Sequence, residues 1–256
     1  MSLYRKLADD LREQIVSGDF PPGSELPSEA QLGRQFDVGR DTVRRAYDVL
    51  THEGLIETSQ GRGRRVRSHE VFVLDASRHE NLQFSEEESG DSYSNEVRHA
   101  GRRPHQEFRV ELQPAPATIA SRLGVQTGET TVLRFCLRYV DTVPWSTQAT
   151  HYPMWLADGT RIAEPHDIEE GTTRYLAELG FDQVGYHDEL SCRMPTPDEA
   201  RDLEVGPGIP VLVWVRTGYT ADRAVRCTTT IFRGDLNRLT YDIGDLQARQ
   251  ARDDPR

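Results

Sequence analysis

LPSEAQLGRQFDVGRDTVRRAYDVLTHEGLIETSQGRGRRV, from Leu26 to Val66, is the stretch whose pattern decides the fold. Pro27 and Ser28 open a helix: Ser28 is a suitable N-cap, and Gln31 three residues later completes a capping box. Leu32 and Phe36 give that helix its apolar side, and Asp37 to Gly39 is a short turn. A second helix follows, because Val43, Ala46, Tyr47 and Leu50 recur at i, i+3, i+4 and i+7 as one buried stripe. Arg40 and Arg44, four residues apart, share a different face, with Thr42 near it at the helix start. Gly54 ends the helix. Leu55 and Ile56 begin a strand, and Gly61, Arg62 and Gly63 make a tight tip that returns through Arg64, Arg65 and Val66.

Arg, Thr and Arg at the N-terminal end of a helix suit the major groove of DNA. Arginine pairs bidentately with guanine, and threonine meets a phosphate or a thymine methyl. A glycine-tipped hairpin carrying arginines suits an adjacent groove, because missing side chains let backbone approach closely. The bland alternative, a small helical core with solvated arginines, leaves the agreement of cap, stripe, turn and basic hairpin unexplained. Upstream, Leu3, Leu7, Leu11 and Ile15 form the stripe of a first helix, which Gly18 stops before the turn at Pro21, Pro22 and Gly23. Tyr4 and Arg5 are candidates to touch phosphate.

These pieces resemble the winged helix-turn-helix of the GntR family of bacterial repressors. The resemblance is carried by Pro22-Gly23, Leu26 to Glu29, Val38 to Arg40, Thr42 to Arg44 with Ala46, Glu53 to Ile56, and Gly61 to Gly63. It implies a DNA-contacting set of Ser28, Glu29, Gly39, Arg40, Thr42, Arg44, Gln60, Gly61, Arg62, Gly63 and Arg64. Gly39 stands where the family usually has Ser or Thr. Glycine still caps a helix acceptably, so altered contact detail is expected, with binding retained.

The 256 residues are enough for one large domain or two small ones. A net charge of −11 looks wrong for a DNA binder until it is located: residues 1–68 are neutral, and the rest of the chain holds the whole acidic excess. Gln60 to Arg67 has four arginines and no acid. Without an apolar run of about 18 residues, no membrane span is expected. The N-terminus runs straight into an amphipathic helix with no signal-peptide pattern. Cys136, Cys192 and Cys227 are odd in number and lack metal-ligand spacing. A cytoplasmic, reduced protein with no metal and no cofactor is expected.

After Arg67 the composition shifts. Val71 to Leu74 reads as a short strand, and Ser85 to Asp91 as an acidic surface segment. Strands are expected at Phe108–Leu112, Val132–Val140, Trp145–Tyr152, Val184–Met194, Val211–Tyr219 and Val225–Arg233, with Leu239–Ile243 closing the sheet. Helices are expected at Pro116–Leu123, Thr172–Leu179 and Pro197–Leu203. An internal repeat lies within this pattern: Ala120, Leu123, Val125, Gly128 and Tyr152 fall on Ala200, Leu203, Val205, Gly208 and Phe232 at a constant offset of 80. Each copy reads helix, glycine turn, strand, turn, strand, which implies a pseudo-twofold sheet.

This half resembles the UTRA ligand-sensing domain of HutC-like GntR regulators. The matching features are Ala120 to Leu133, Arg138, Pro144, Gly171 to Thr173, Met194 to Arg201, Gly208 to Leu212 and Phe232 to Asp235. The resemblance implies a chorismate-lyase-like fold, a homodimer and an effector pocket. Cys136 stands at the family's first arginine position, Arg138 at its second, Thr172 or Thr173 at its helix-start hydroxyl, Arg226 at its glutamate and Phe232 at its tyrosine. Ser92 and Ser94 lie where relatives place a loop over the ligand. Arg134 shares a strand face with positions 136 and 138, so it is a candidate to replace the missing guanidinium. Arg134, Arg138, the threonines and Arg226 are then expected to converge on one carboxylate or phosphate; the alternative makes Arg134 and Arg226 surface charges on an exposed sheet.

The expected fold is α+β: a winged helix-turn-helix over 1–67, a linker over 68–92, an antiparallel-sheet sensor and dimerisation domain over 93–245, and a polar tail over 246–256. The expected function is an effector-responsive transcriptional regulator, a repressor released from a palindromic double-stranded DNA operator by a small anionic metabolite. The rival is an enzyme of chorismate-lyase-like fold fused to a DNA-binding domain; the sequence offers it no nucleophile elbow, phosphate loop or placed acid–base pair.

Overall fold

The structure is a computed structural model that describes residues 2–59, 63–67, 71–76 and 92–241. The chain forms two compact units: one of Met1–Val71, Met194–Val211 and Gly234–Leu236, the other of the remaining segments.

In the first unit, α1 (Leu3–Ser17), α2 (Glu29–Gln35) and α3 (Arg40–His52) are followed by the hairpin β1 (Ile56–Ser59) and β2 (Gly63–Val66). The stripe on α3 is buried as its spacing requires: Val43, Ala46, Tyr47 and Leu50 pack against Leu7, Leu11, Leu32 and Ile56. Each large apolar side chain contributes about 1.5–3 kcal/mol on burial. α1 differs from its expected stripe. Leu3 is 65% exposed, and Tyr4 packs on the core in its place. The stripe is anchored at Leu7 and Leu11, and residue 4 lies one turn before residue 7 on the same side of the helix.

The same unit takes in α8 (Pro197–Asp202), whose Thr196 and Glu199 form a capping box. The turn after α8 meets the end of α3 at close range. Gly208 has φ +82°, and a Cβ there would fall on the carbonyl of His52. Buried Arg67 and the largely covered side chain of Asp235 pair at 3.4 Å in this unit.

The second unit is built on a six-stranded sheet in the order β4-β5-β6-β9-β8-β7. Its strands are β4 (Pro104–Pro114), β5 (Thr130–Val140), β6 (Val143–Pro153), β7 (Gly185–Arg193), β8 (Val211–Tyr219) and β9 (Ala224–Arg233). α4 (Ser92–His99), α5 (Ala117–Leu123), α6 (Met154–Ala157), a 3-10 turn at Arg161–Ala163 and α7 (Thr172–Glu178) accompany it.

The repeat is visible in this order. β4, α5, β5 and β6 correspond to β7, α8, β8 and β9, and β6 meets β9 antiparallel at the middle of the sheet. Ala149 pairs with Thr229, positions separated by the same offset as the sequence repeat, so the pseudo-twofold axis passes between them. Gly128 and Gly208 have nearly equal φ, +83° and +82°.

The expectation for residues 239–243 does not hold. β10 (Asn237–Thr240) leaves the main sheet and pairs in parallel with β3 (Phe72–Asp75). Leu74 and Leu239 then share one apolar cluster with Trp214 and Phe232, a burial that an edge place in the main sheet would not offer. Ile243 lies outside the described residues.

Candidate functional site

The first candidate surface begins at α2. Ser28 Oγ accepts from Gln31 N–H (3.3 Å), and Gln31 Oε1 accepts from Ser28 N–H (2.7 Å), which is the capping box read from the sequence. Ser28 therefore serves the helix start and remains exposed beside it. Glu29 lies between the hairpin and α3, 2.9 Å from Arg64 and 3.8 Å from Arg44. Its hydrogen bond from Arg64 holds its carboxyl below the usual glutamate range, helped by the charges of Arg44, Arg64 and Arg40 against the opposing effect of burial.

α3 starts at Gly39, which takes the extended N-cap conformation without a side-chain cap. Arg40 and Arg44 are exposed on this helix, and Thr42 is half-buried near its start. Arg44 is 59% exposed, and its 3.8 Å contact with Glu29 is loose. The fork is thus placed to be drawn away by a phosphate or a guanine edge.

Arg64 is occupied differently. It pairs with Glu29 and lies 4.6 Å from the ring of Tyr47, so it pins the hairpin to α3. Arg65 pairs with Glu25 at 2.7 Å. Two of the arginines counted toward a basic hairpin are therefore neutralised by neighbours. Gly63 is exposed, with φ +81°; Gln60, Gly61 and Arg62 lie outside the described residues.

The sequence pattern did not single out Arg45, which is exposed on α3. The Tyr4 phenol is lowered by hydrogen bonds with Arg5 and Ser2 and by the charges of Arg5 and Arg45. Tyr4 and Arg5, the candidates to touch phosphate, thus make a second cationic edge with Arg45, whose own sequence signal is the doubled arginine at 44 and 45.

The second candidate surface is one face of the six-stranded sheet. The register gives its rows: Arg134–Thr150–Thr228, Cys136–Gln148–Thr230 and Arg138–Ser146–Phe232. The face is apolar at both ends, with Val132 and Tyr152 in one cluster and Phe232 and Trp214 in another. Between them Ser146, Thr150, Thr228 and Thr230 are buried. Buried hydroxyls need partners. Thr150 and Thr228 share a hydrogen bond of 3.1 Å, whereas the fully buried Ser146 Oγ makes none among the described residues.

The predicted pocket residues all have places in this unit, but not the convergence expected of them. Arg134 is buried. Its NH1 donates to the carbonyls of Arg161, Ile162 and Glu164, and its NH2 to that of His166. It holds the 3-10 segment to the sheet and does not offer a fork in place of the one missing at Cys136. Cys136 Sγ and Arg138 Nε both donate to Gln106 Oε1, at 3.3 and 3.1 Å. Arg226 is buried and donates to Gln183 Oε1 (2.7 Å) and to Thr173 Oγ1 (3.2 Å). Thr172 is half-buried at the start of α7. Phe232 is stacked on Trp214. Ser92 begins α4, and Ser94 on that helix accepts from Gln106 Nε2 (3.1 Å).

Neither Arg134 nor Arg226 is a surface charge, so that alternative fails. The single-anion convergence fails too. Arg138 shares a row with Phe232, six residues from Arg226, and β6 lies between their strands. At about 3.4 Å per residue and 4.8 Å per strand, the two backbones stand on the order of 20 Å apart. Sequence reasoning also missed Gln106 and Gln183, because a glutamine that positions an arginine has no local signature.

Among the described residues no group of three or more His, Cys, Asp or Glu side chains could hold a metal ion, and no helix is long and apolar enough to cross a membrane. His151 is held by Thr131 and Gln113, and burial lowers its pKa.

Comparison with known proteins agrees with this architecture. The bacterial regulatory proteins of the gntR family match residues 3–66, and the UTRA domain matches residues 99–238. The chain is 31% identical over 236 residues to an HTH-type transcriptional regulator of Streptomyces coelicolor, covering 87% of this chain and 85% of that one. It is 29% identical over 249 residues to the mannosyl-D-glycerate transport/metabolism system repressor of Escherichia coli, covering 93% and 94%. The crystal structure of PhnF from Mycobacterium smegmatis shares the fold, with a TM-score of 0.58 at 21% identity over 95% of this chain and 100% of that one. With an exposed arginine edge on the second helix of a winged helix-turn-helix, and a sheet domain of the sensing type after it in sequence, the chain belongs to the GntR family and is a DNA-binding transcriptional regulator with a UTRA effector domain.

Proposed function

We propose that this regulator is a cytoplasmic repressor that binds a palindromic operator as a homodimer, and that a small anionic effector on the polar sheet face releases it. The observation that carries the reading is the row in which half-buried Arg138 neighbours Ser146. Arg138 and Ser146 are register partners, and the buried Ser146 hydroxyl makes no hydrogen bond among the described residues, on a face that an all-apolar core would have filled differently. Such groups favour a ligand with acceptor oxygens. Exposed Arg40 and Arg44 supply the DNA-facing half. The name of the Escherichia coli relative supports repression as the direction of control.

Release requires that the effector bind one domain arrangement better than another, with the DNA-competent arrangement the weaker binder. The experiment is operator release scored against a panel of anionic metabolites, followed by calorimetry on the one that acts. Arg138→Ala is expected to abolish both its binding and its release of DNA while operator affinity stays as in the wild type. An effector that binds Arg138→Ala as tightly as the wild type overturns the placement of the pocket.

A further inference from the structure

The sheet unit carries two constellations of the same make-up. At one edge Arg138 donates from Nε to Gln106, the Gln106 amide donates to Ser94 on α4, and the guanidinium lies 4.7 Å from the ring of Tyr93. Toward the other edge Arg226 donates from Nε to Gln183 and from NH2 to Thr173 on α7, and its guanidinium lies 6.0 Å from the ring of Tyr186. Each has an arginine, a glutamine that fixes it, a helix hydroxyl and a tyrosine.

The repeat explains both the likeness and the difference. Gln106, Arg138 and Ser146 map onto Tyr186, Gly218 and Arg226 at the same offset. The second copy therefore carries its guanidinium on β9 and has glycine at the matching place on β8. That glycine is required: a Cβ on Gly218 would fall on Gln183 Oε1 and lie 3.4 Å from Arg226 Nε.

One group in the second constellation is unspent. Gln183 is only 8% exposed, and its Nε2 has no partner among the described residues. The bond from Arg226 Nε fixes which end of the amide is oxygen, so the other end is a donor. A buried amide donor beside a buried guanidinium and a hydroxyl asks for an acceptor of negative charge. We propose that Gln183, Arg226 and Thr173 form a second anion subsite, one per repeat, that takes a carboxylate or phosphate group. The idea rests on this sheet domain being the effector domain, but its test separates the two.

The test is a titration of the full chain with inorganic phosphate at constant ionic strength, followed by NMR of the glutamine side-chain amides. The Gln183 signals are those lost in Gln183→Leu. They are expected to shift saturably, to titrate roughly tenfold more weakly in Arg226→Lys, which keeps the charge but loses the fork, and to weaken also in Thr173→Val, which removes no charge. Arg138→Gln is expected to leave the titration unchanged. Gln183 signals that do not move, or that titrate equally in wild type, Arg226→Lys and Thr173→Val, overturn the subsite. A shift lost in Arg138→Gln but kept in Arg226→Lys also overturns it, while leaving the effector surface at Arg138 intact.

Discussion

Glu29 is where the hairpin and α3 are tied together. Its carboxylate holds Arg64 of the hairpin and lies near Arg44 of α3, and its pKa is depressed mainly by the Arg64 hydrogen bond. A carboxyl whose folded pKa lies below its unfolded value stabilises the fold above the unfolded value, and that contribution is lost as pH falls through the folded one. Glu29→Gln is therefore expected to lower Tm at neutral pH, with the difference from the wild type shrinking below the ordinary glutamate range. Thermal melts at several pH values check this; a difference independent of pH contradicts it. Arg64→Ala is expected to lower Tm as well, because it removes both the Glu29 pair and the cover over Tyr47. Arg40 is exposed on α3, and its replacement by alanine is expected to leave Tm unchanged.

At the scale of elements, two glycines show opposite uses of the same residue. Gly39 caps α3 in an extended conformation, with open space where a Cβ would stand. Gly39→Ser is therefore expected to raise stability by roughly a few tenths of a kcal/mol, read by chemical denaturation. Gly208 sits at positive φ against the His52 carbonyl. Gly208→Ala adds conformational strain of about 1–3 kcal/mol to a backbone collision, so it is expected to cost more than that strain alone; a Tm equal to the wild type contradicts the close approach. The elements themselves were largely legible, because α3 and the paired strands bury one stripe or one face and their spacing shows it. The partner of β10 was not legible. Its parallel pairing with β3 joins segments distant in sequence, and nothing in Asn237–Thr240 specifies a partner. The candidate effector face was only partly legible: the motif positions led to Arg138 and to the Arg226–Thr173 pair, but not to the distance the sheet keeps between them, and the four backbone carbonyls that consume Arg134 come from an irregular segment without a periodic pattern.

For the whole molecule, the charge distribution bears on DNA binding and the pairing of recognition helices on assembly. The acidic excess lies outside residues 1–68, so phosphate attraction depends on the local arginine edge and not on the total. One winged helix reads only a few base pairs, and a twofold protein matches a palindromic site. Light scattering at micromolar concentration is expected to give a dimer, and footprinting to give two half-sites spaced by about one helical turn or a multiple of it; a monomer that protects a single half-site contradicts this. Everything proposed for the DNA-binding half depends on α3 reading the operator through its exposed arginine edge. Fluorescence anisotropy at fixed salt, comparing wild type with Arg44→Ala on operator and on unrelated duplex, addresses that dependence without an effector. Arg44→Ala is expected to lose about 1–3 kcal/mol on the operator, with specificity relaxed at the contacted base pair and the fold intact. Operator affinity equal to the wild type in Arg44→Ala would overturn the assignment of α3.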